Sequence, residues 1–480
     1  MSFSPLASER CETSKRNYGG IIVEEITENC LTRLLSRADE IQNRLSSVPV
    51  EERLGVIGKI GEAWGERYAG GKLKWLRDAL SDSTGYSPKM IDLELSLVPS
   101  VLNAQGIKRN LEGSFPLGIN CLERFKSIGD GEYCWHRPAG PVFIISSGNS
   151  LIPPLIPTVL ALATGNMTIL RPSIANFIGV KTVWSILEEV EGDVAEIMRD
   201  ALILSYLTHD SPSLEYLLSR SEIGVVNFWG GEPARTEISK RVASNPHHPA
   251  LIINGPLTGY AIVDSRCADD RAVSALAKNI VLYDQQLCSS PTEAVFVGDW
   301  ERAKEFATKV GMELEELSQQ LPLKLTESYS YLTEGVRRAL QFRGSMVFRS
   351  GSSASWTLVL SKSESALDES LKAFPEFGLH SRRRFLEMIV LDDYRYVVDF
   401  IRRLPGRKSF TGIDGVQSVG ICVPEAERDL LAKRLAEAGV FRILPLEDMY
   451  MRSALEPYDG MNLAQVFTYA VYRRDKPLSA

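Results

Sequence analysis

The sequence predicts an α/β fold built on doubly wound parallel sheets, and three observations carry that prediction. From Pro138 onward, short apolar runs rich in Val, Ile and Leu alternate with helical segments, which is the pattern of βαβ units. Glycines recur where those runs end. The chain has 480 residues, 44% hydrophobic and 24% charged, enough for two or three domains with cores of their own.

Taken in order, residues from about 21 to 111 show helical periodicity. Ala38, Ile41 and Leu45 share one face, as do Leu54, Ile57, Ile60 and Trp64, with charged residues between them. PVFIIS (141–146) and MTILR (167–171) predict buried strands with a helix over 154–164 between them. A helix over 181–190, a strand at ALILSYL (201–207), a short helix over 212–218 and a strand at IGVVNFW (223–229) follow. A second series begins with YAIVD (260–264), a helix over 268–282 and EAVFVG (293–298). Next comes an amphipathic helix, Trp300–Gln320, with Ala303, Phe306, Val310, Leu314 and Leu317 on one face and Asp299 as its N-cap. WTLVLS (356–361), FLEMIVLDD (385–393) and the apolar segment MNLAQVFTYAVY (461–472) complete the pattern. The expected division is a helical N-terminal region over 1–130, one α/β domain over 131–258, a second over 259–450, and a C-terminal segment over 451–480.

Composition excludes several function classes. The balance of 54 basic and 61 acidic residues gives a net charge of -7, and no basic block marks a nucleic-acid footprint, so a small-molecule ligand is expected. The opening stretch MSFSPLASERCETSKR lacks the apolar core of a secretory signal, which predicts a cytoplasmic protein. The longest apolar region, 140–165, is broken by Gly148, Asn149, Ser150 and Pro153-Pro154, so it reads as strand, turn and helix and not as a membrane span. Seven cysteines, at 11, 30, 121, 134, 267, 288 and 422, are too sparse for a disulfide framework and contain no CxxC pair. Reduced thiols and no metal site are expected.

One of those cysteines stands in YDQQLCSSP, between a helical segment and a strand. A lone cysteine is by itself most often a small buried hydrophobe. Its company argues otherwise. Gly140, Gly148-Asn149, Arg171-Pro172-Ser173, Gly230-Gly231 and Asn254-Gly255 punctuate strand ends, where open α/β sheets bind ligands. Glycine there lets backbone approach a ligand, and Arg171 with Ser173 suits a phosphate or ribose.

The run RPAGPVFIISSGNSLIPPLIPTVLALATGNMTILRPS (137–173) resembles the strand, asparagine turn, helix and strand of the aldehyde dehydrogenase superfamily. NFWGGEPAR (227–235) is similar to its glycine turn, and LIINGPLTGYAIVDSRCADDRAVSALAKNIVLYDQQLCSSP (251–291) to the block ending in its catalytic cysteine. Order and spacing agree over roughly 138–391. Within the superfamily the chain looks most like the acyl-CoA reductase branch typified by LuxC-type fatty acyl reductases, from DQQLCSSP, the Gly-Gly turn preceded by Trp229, and the long helical N-terminal region.

The resemblance implies an aldehyde-dehydrogenase-like fold in which 131–258 binds NADP(H), 259–450 carries the nucleophile Cys288, and the C-terminal segment serves oligomerisation. A cysteine thiolate is intrinsically nucleophilic enough to attack an activated carbonyl. Asn149 is the implied oxyanion donor, the alternative being a turn asparagine that satisfies local backbone. Ser146, Ser147, Gly148, Arg171, Pro172, Ser173, Trp229, Gly230, Gly231 and Gly255 are the implied cofactor residues. NADPH is expected over NADH, because Ile174 and Ala175 offer no carboxylate for a ribose hydroxyl while Arg171 suits a 2′-phosphate; a surface arginine paired with a carboxylate is the alternative.

Two departures from the family pattern matter. Asn254 stands where ordinary aldehyde dehydrogenases carry the glutamate that activates water, and an amide cannot accept a proton as a carboxylate does. The ribose-binding glutamate before a Phe-Gly is also missing: the matching place offers Arg383 or Arg384 before Phe385, and Glu376-Phe377-Gly378 lies upstream. The expected activity is therefore NADPH-dependent reduction of an acyl thioester, acyl-CoA or carrier-bound, to an aldehyde. His247 or His248 is the implied base, against a reading of both as loop residues. An acyl-activating partner enzyme and a homo-oligomer are further expectations. The alternatives are an aldehyde dehydrogenase working in the oxidative direction, CoA-acylating or hydrolytic, an acyl-phosphate reductase, and a non-catalytic scaffold of the same fold.

Overall fold

The structure is a computed structural model that describes residues 3–7, 11–18, 20–351 and 355–475. The chain divides into two compact units. The first comprises 1–84, 91–254 and 453–480, and the second 85–90 and 255–452. The N-terminal helices thus belong to the same unit as the first sheet, and the boundary falls at Asn254/Gly255.

The first unit opens with an antiparallel hairpin, β1 (Thr13–Tyr18) and β2 (Ile21–Ile26), which departs from the helix expected from residue 21. The physical reason is local: Ile21, Ile22, Val23 and Ile26 favour extended backbone, and Gly20 turns the chain at φ +86°. Helices begin only at Glu28–Leu35. The hairpin also returns the chain on itself, so Cys11 meets Cys30 in a disulfide, and the expectation that all seven thiols are reduced is corrected. β3 (Lys126–Gly129) and β4 (Glu132–Pro138) lead into five strands: β5 (Val142–Ile145), β6 (Thr168–Arg171), β7 (Leu202–Leu204), β8 (Val225–Trp229) and β9 (Ala250–Asn254). These form an all-parallel sheet in the order β7-β6-β5-β8-β9. Strands β5 to β8 are almost wholly buried, which is why they read as continuous Val/Ile/Leu runs without alternation, while β9 at the sheet's edge is only half-buried.

In the second unit, β10 (Leu257–Asp264), β11 (Pro291–Val297), β12 (Met346–Arg349), β13 (Thr357–Lys362), β14 (Phe385–Leu391), β15 (Gly415–Cys422) and β16 (Arg442–Pro445) form one sheet in the order β12-β13-β14-β11-β10-β15-β16. Only the β12/β13 pair is antiparallel. Alternation along a strand feeds two cores. Ala261, Val263, Ala294 and Phe296 pack with Leu276 and Phe306 on one face, while Tyr260, Ile262 and Val295 pack with Val398 and Val419 on the other. Helix Trp300–Gln320 has the predicted bounds, and the Asp299 carboxylate accepts the Arg302 N–H at 2.9 Å as its N-cap.

The C-terminal apolar segment becomes a short helix, Leu463–Val466, and β17 (Thr468–Arg474), which pairs antiparallel with β4 of the same chain to make the three-stranded sheet β17-β4-β3. Among the described residues no helix is long and apolar enough to cross a membrane.

Candidate active site

The strand order of the first sheet places its topological switch between β5 and β8, where the chain departs to opposite sides; open α/β sheets bind ligands at such a point, in the crevice beyond the carboxyl ends of the strands. The predicted cofactor residues of this unit lie at those ends. Ser146, Ser147, Gly148 and Asn149 follow β5; Pro172 and Ser173 follow Arg171, the last residue of β6; Gly230 and Gly231 follow Trp229, the last of β8. The turns are packed too tightly for side chains. A Cβ on Gly148 would lie 2.4 Å from Ser173 Oγ, and one on Gly230 would lie 2.8 Å from the Phe228 ring. Glycine at these turns lets backbone come close to a ligand, as a pyrophosphate requires. Gly255, at φ +80°, opens the second unit.

The Asn149 turn is held from several sides. Ser147 Oγ donates to Asn149 Oδ1 at 2.9 Å, and Asn176 Nδ2 donates to the carbonyls of Ser147 (3.1 Å) and Ser150 (2.7 Å). Arg171 is not a solvated surface arginine: its Nε donates to the Leu207 carbonyl at 2.9 Å and its guanidinium lies 4.8 Å from the Tyr206 ring centroid. Burial pushes its pKa below the usual arginine value.

Two predicted residues have different surroundings from those expected. The Trp229 indole is buried, with Nε1 donating to Asn227 Oδ1 at 2.6 Å and its ring set edge-on to Tyr458, so its side chain packs within the unit. Asn254 is buried and locked: its Oδ1 accepts from Asn227 Nδ2 at 2.8 Å, and its Nδ2 donates to Asp459 Oδ2 at 3.0 Å.

His247 and His248 precede the first residue of β9, whereas Asn254 is its last, so the pair sits at the opposite edge of the sheet, about 13 Å away along the strand. His247 lies 3.9 Å from the exposed Glu222, and Asn245 Oδ1 accepts its N–H. The structure does not bring either histidine to the crevice.

In the second unit, Cys288 lies in the loop before β11, at the amino edge of the sheet. It is half-buried and in no disulfide. Its loop starts with three consecutive non-glycine residues in the left-handed region, Tyr283 (φ 51°), Asp284 (φ 50°) and Gln285 (φ 67°), a conformation that persists only where the surroundings enforce it. The enforcement is visible. Buried Asp284 Oδ1 accepts from Arg384 Nη2 (2.6 Å) and Nε (2.9 Å). Gln285 Nε2 donates to the Pro291 carbonyl and its Oε1 accepts the Phe385 N–H; Gln286 Nε2 donates to the Arg382 carbonyl. Beneath the loop a Cβ on Gly259 would sit 2.3 Å from the Ser289 carbonyl, so only glycine allows this approach.

Arg384, considered above for the missing ribose contact, is therefore a brace for the Cys288 loop. Arg383 donates to the carbonyls of His380 and Arg382. Glu376 is exposed, and Phe377 is a buried ring against Phe385.

Sequence reasoning missed Glu94, Asn176, Asp284 and Asp459. Glu94 had a readable signal, since it falls on the apolar face of Ile91, Leu95, Val98 and Leu102 and is itself buried.

Together, the parallel sheets, the crevice at the switch point and the Cys288 loop define a protein of the aldehyde dehydrogenase fold. Solved structures share that fold over nearly the whole chain. They include methylmalonate-semialdehyde dehydrogenase from Oceanimonas doudoroffii (14% identity, 99% of both chains, TM-score 0.70). Another is glyceraldehyde-3-phosphate dehydrogenase from Methanocaldococcus jannaschii complexed with NADP (13% identity, 98% of this chain and 100% of that one, TM-score 0.67). The chain belongs to the acyl-CoA reductase (LuxC) family, whose model matches residues 45–469. It is similar to the long-chain acyl-protein thioester reductase of Aliivibrio fischeri, 23% identical over 90% of this chain and 85% of that protein. With the long-chain acyl-protein thioester reductase 2 of Photobacterium leiognathi it shares 24% identity over 58% of this chain and 55% of that one.

Proposed function

We propose that the protein reduces a long-chain acyl thioester to the aldehyde with NADPH, through an acyl-enzyme on Cys288. The observation that carries this reading is the Cys288 loop, a thiol held on a strained backbone braced by Asp284, Gln285 and Gln286. The name shared by the Aliivibrio and Photobacterium relatives supports a long-chain acyl thioester as substrate.

The Cys288 thiolate attacks the acyl carbonyl, its sulfur bonds to the carbonyl carbon, and the bond from that carbon to the donor sulfur breaks, releasing the donor as a thiolate that takes a proton from solvent. Asn149 donates a hydrogen bond to the oxygen as negative charge develops there. When bound, NADPH supplies the hydride that this acyl-enzyme needs. As the aldehyde carbonyl forms, the Cys288 sulfur departs with its electron pair and takes up a proton. The turns at 146–148, 172–173 and 230–231 would hold the cofactor's phosphates and ribose through backbone, and Arg171, whose guanidinium Leu207 and Tyr206 fix, would meet a 2′-phosphate. Neither histidine enters the mechanism. Mixing the protein with a panel of acyl-CoAs without cofactor, then adding NADPH, tests the reading: an acyl adduct should form and be discharged as aldehyde appears. If neither acyl-CoA nor acyl-carrier-protein donors acylate the protein, the proposal fails.

Cofactor choice follows from Arg171. Arg171→Gln should lower the preference for NADPH over NADH about tenfold, the loss of roughly 1.4 kcal/mol, mainly through KM. An unchanged ratio of kcat/KM values would remove Arg171 from 2′-phosphate recognition.

The locked amide of Asn254 supports transfer to a thiol over hydrolysis. Asn254→Glu alone would set a carboxyl against Asp459, now 3.0 Å from the amide nitrogen, and the two would share a proton. The double variant Asn254→Glu/Asp459→Asn frees that carboxylate to act as a base. It should release free acid from preformed acyl-enzyme about 10²-fold faster than wild type, while the single variant lags well behind it. Equal hydrolysis rates for wild type and both variants would show that residue 254 does not face the acyl-enzyme.

A further inference from the structure

Glu94 lies in the helix Pro88–Val101 and is 2% exposed. Both of its hydrogen bonds go to one oxygen. Glu94 Oε1 accepts the Ser150 hydroxyl and, at 2.6 Å, the Leu151 N–H, immediately before the helix Ile152–Ala163. Ser150 is the residue after Asn149. Its carbonyl and that of Ser147 are joined by the Asn176 amide, and Ser147 in turn holds the Asn149 side-chain oxygen. With that oxygen taken, the Asn149 amide is oriented by its acceptor end, which fixes the direction of its donor end. A buried carboxyl in the wall of the first unit thus ends a continuous chain of hydrogen bonds that runs to the proposed oxyanion donor.

We infer that Glu94 is a positioning residue for the reduction: through Ser150 and Leu151 it anchors the Asn149 turn and so sets the aim of the Asn149 amide. This rests on the oxyanion role proposed for Asn149. The carboxyl does not act by its charge. Burial pushes its pKa up to about 7 against the opposing bonds from Ser150 and Leu151, so its neutral form is accessible near neutral pH, and the oxygen that accepts both bonds is present in either form. A glutamine keeps such an oxygen and an alanine does not.

The test is a double-mutant cycle on the single-turnover rate of Cys288 acylation by an acyl-CoA, with NADPH affinity and the rate of Cys288 alkylation by iodoacetamide measured alongside. Asn149→Ala should slow acylation about 10²-fold, and Glu94→Ala about tenfold. The pair together should be no slower than Asn149→Ala alone, because Glu94 acts through that side chain. Glu94→Gln should restore most of the wild-type rate. Alkylation of Cys288 should be unchanged throughout, which separates aim of the amide from general damage to the fold. Multiplicative effects of the two alanines, or a Glu94→Gln variant as slow as Glu94→Ala, would overturn the inference. An Asn149→Ala variant that acylates at the wild-type rate would instead sink the oxyanion assignment on which it rests.

Discussion

Cys288→Ala is expected to take up no acyl group from any acyl-CoA and to lose aldehyde formation by at least about 10⁴-fold, the scale seen when a covalent nucleophile is deleted. Cys121, Cys267, Cys422 and the disulfide pair are poorer candidates for this role. Burial pushes the Cys121 thiol up to about 11 and the Cys422 thiol up to about 12, and the Cys422 S–H donates to the Cys267 carbonyl at 3.0 Å. Cys267 is also raised, chiefly by desolvation. Cys11 and Cys30 are bonded to each other. Intact mass of wild type and variant after mixing with the acyl-CoA panel reads the result directly. An adduct of equal stoichiometry on Cys288→Ala, mapped to any other residue, would end the assignment. Cys288→Ser makes a useful companion, because its hydroxyl is a poorer nucleophile at neutral pH and should acylate far more slowly while leaving the loop's shape intact.

What the sequence disclosed and what it withheld divide along one physical line. Strands buried on both faces must be apolar throughout, so β5, β6, β8 and β11 stand out in a single pass, and glycines forced by close approach, such as Gly148 and Gly230, mark their ends. The Asp299 cap is likewise a local feature of a few residues. The brace of the Cys288 loop is different. Asp284 and Arg384 are 100 residues apart, as are Gln285 and Phe385, and no local spacing announces such pairs. Asp284 stood in full view within YDQQLCSSP and still carried no signal of its partner. The histidines show the converse. They are close to Asn254 in sequence, but the intervening strand carries them to the far edge, because each strand residue advances the chain by about 3.3 Å in one direction.

Arg384→Ala should produce the largest loss of stability of any single change considered. Asp284 and Arg384 are 8% and 1% exposed, and the guanidinium also donates to the Leu321 carbonyl at 2.7 Å. Burial already pushes the Asp284 carboxyl above its ordinary value and Arg384 below its own, with each partner's charge opposing the shift. Removing the guanidinium leaves a buried carboxylate without its counter-ion, which costs roughly 3–5 kcal/mol and, in a chain of 480 residues, should lower Tm by roughly 3–5 °C. The pH dependence gives the cause away. A carboxyl whose folded pKa lies above its unfolded value penalises folding at pH above the folded pKa, and the penalty vanishes as pH falls below the unfolded value of about 3.9. The deficit of Arg384→Ala relative to wild type should therefore be greatest at neutral pH and shrink in acid. Asp284→Asn/Arg384→Ala removes the charge altogether and should recover much of the lost stability at pH 7. It should not recover acylation of Cys288, because the fork that holds three left-handed residues in place is gone. Thermal unfolding of the three proteins from pH 4 to 8, paired with acylation rates, separates the two effects. A double variant no more stable than the single one, with a deficit flat across pH, would mean that Arg384 contributes packing alone.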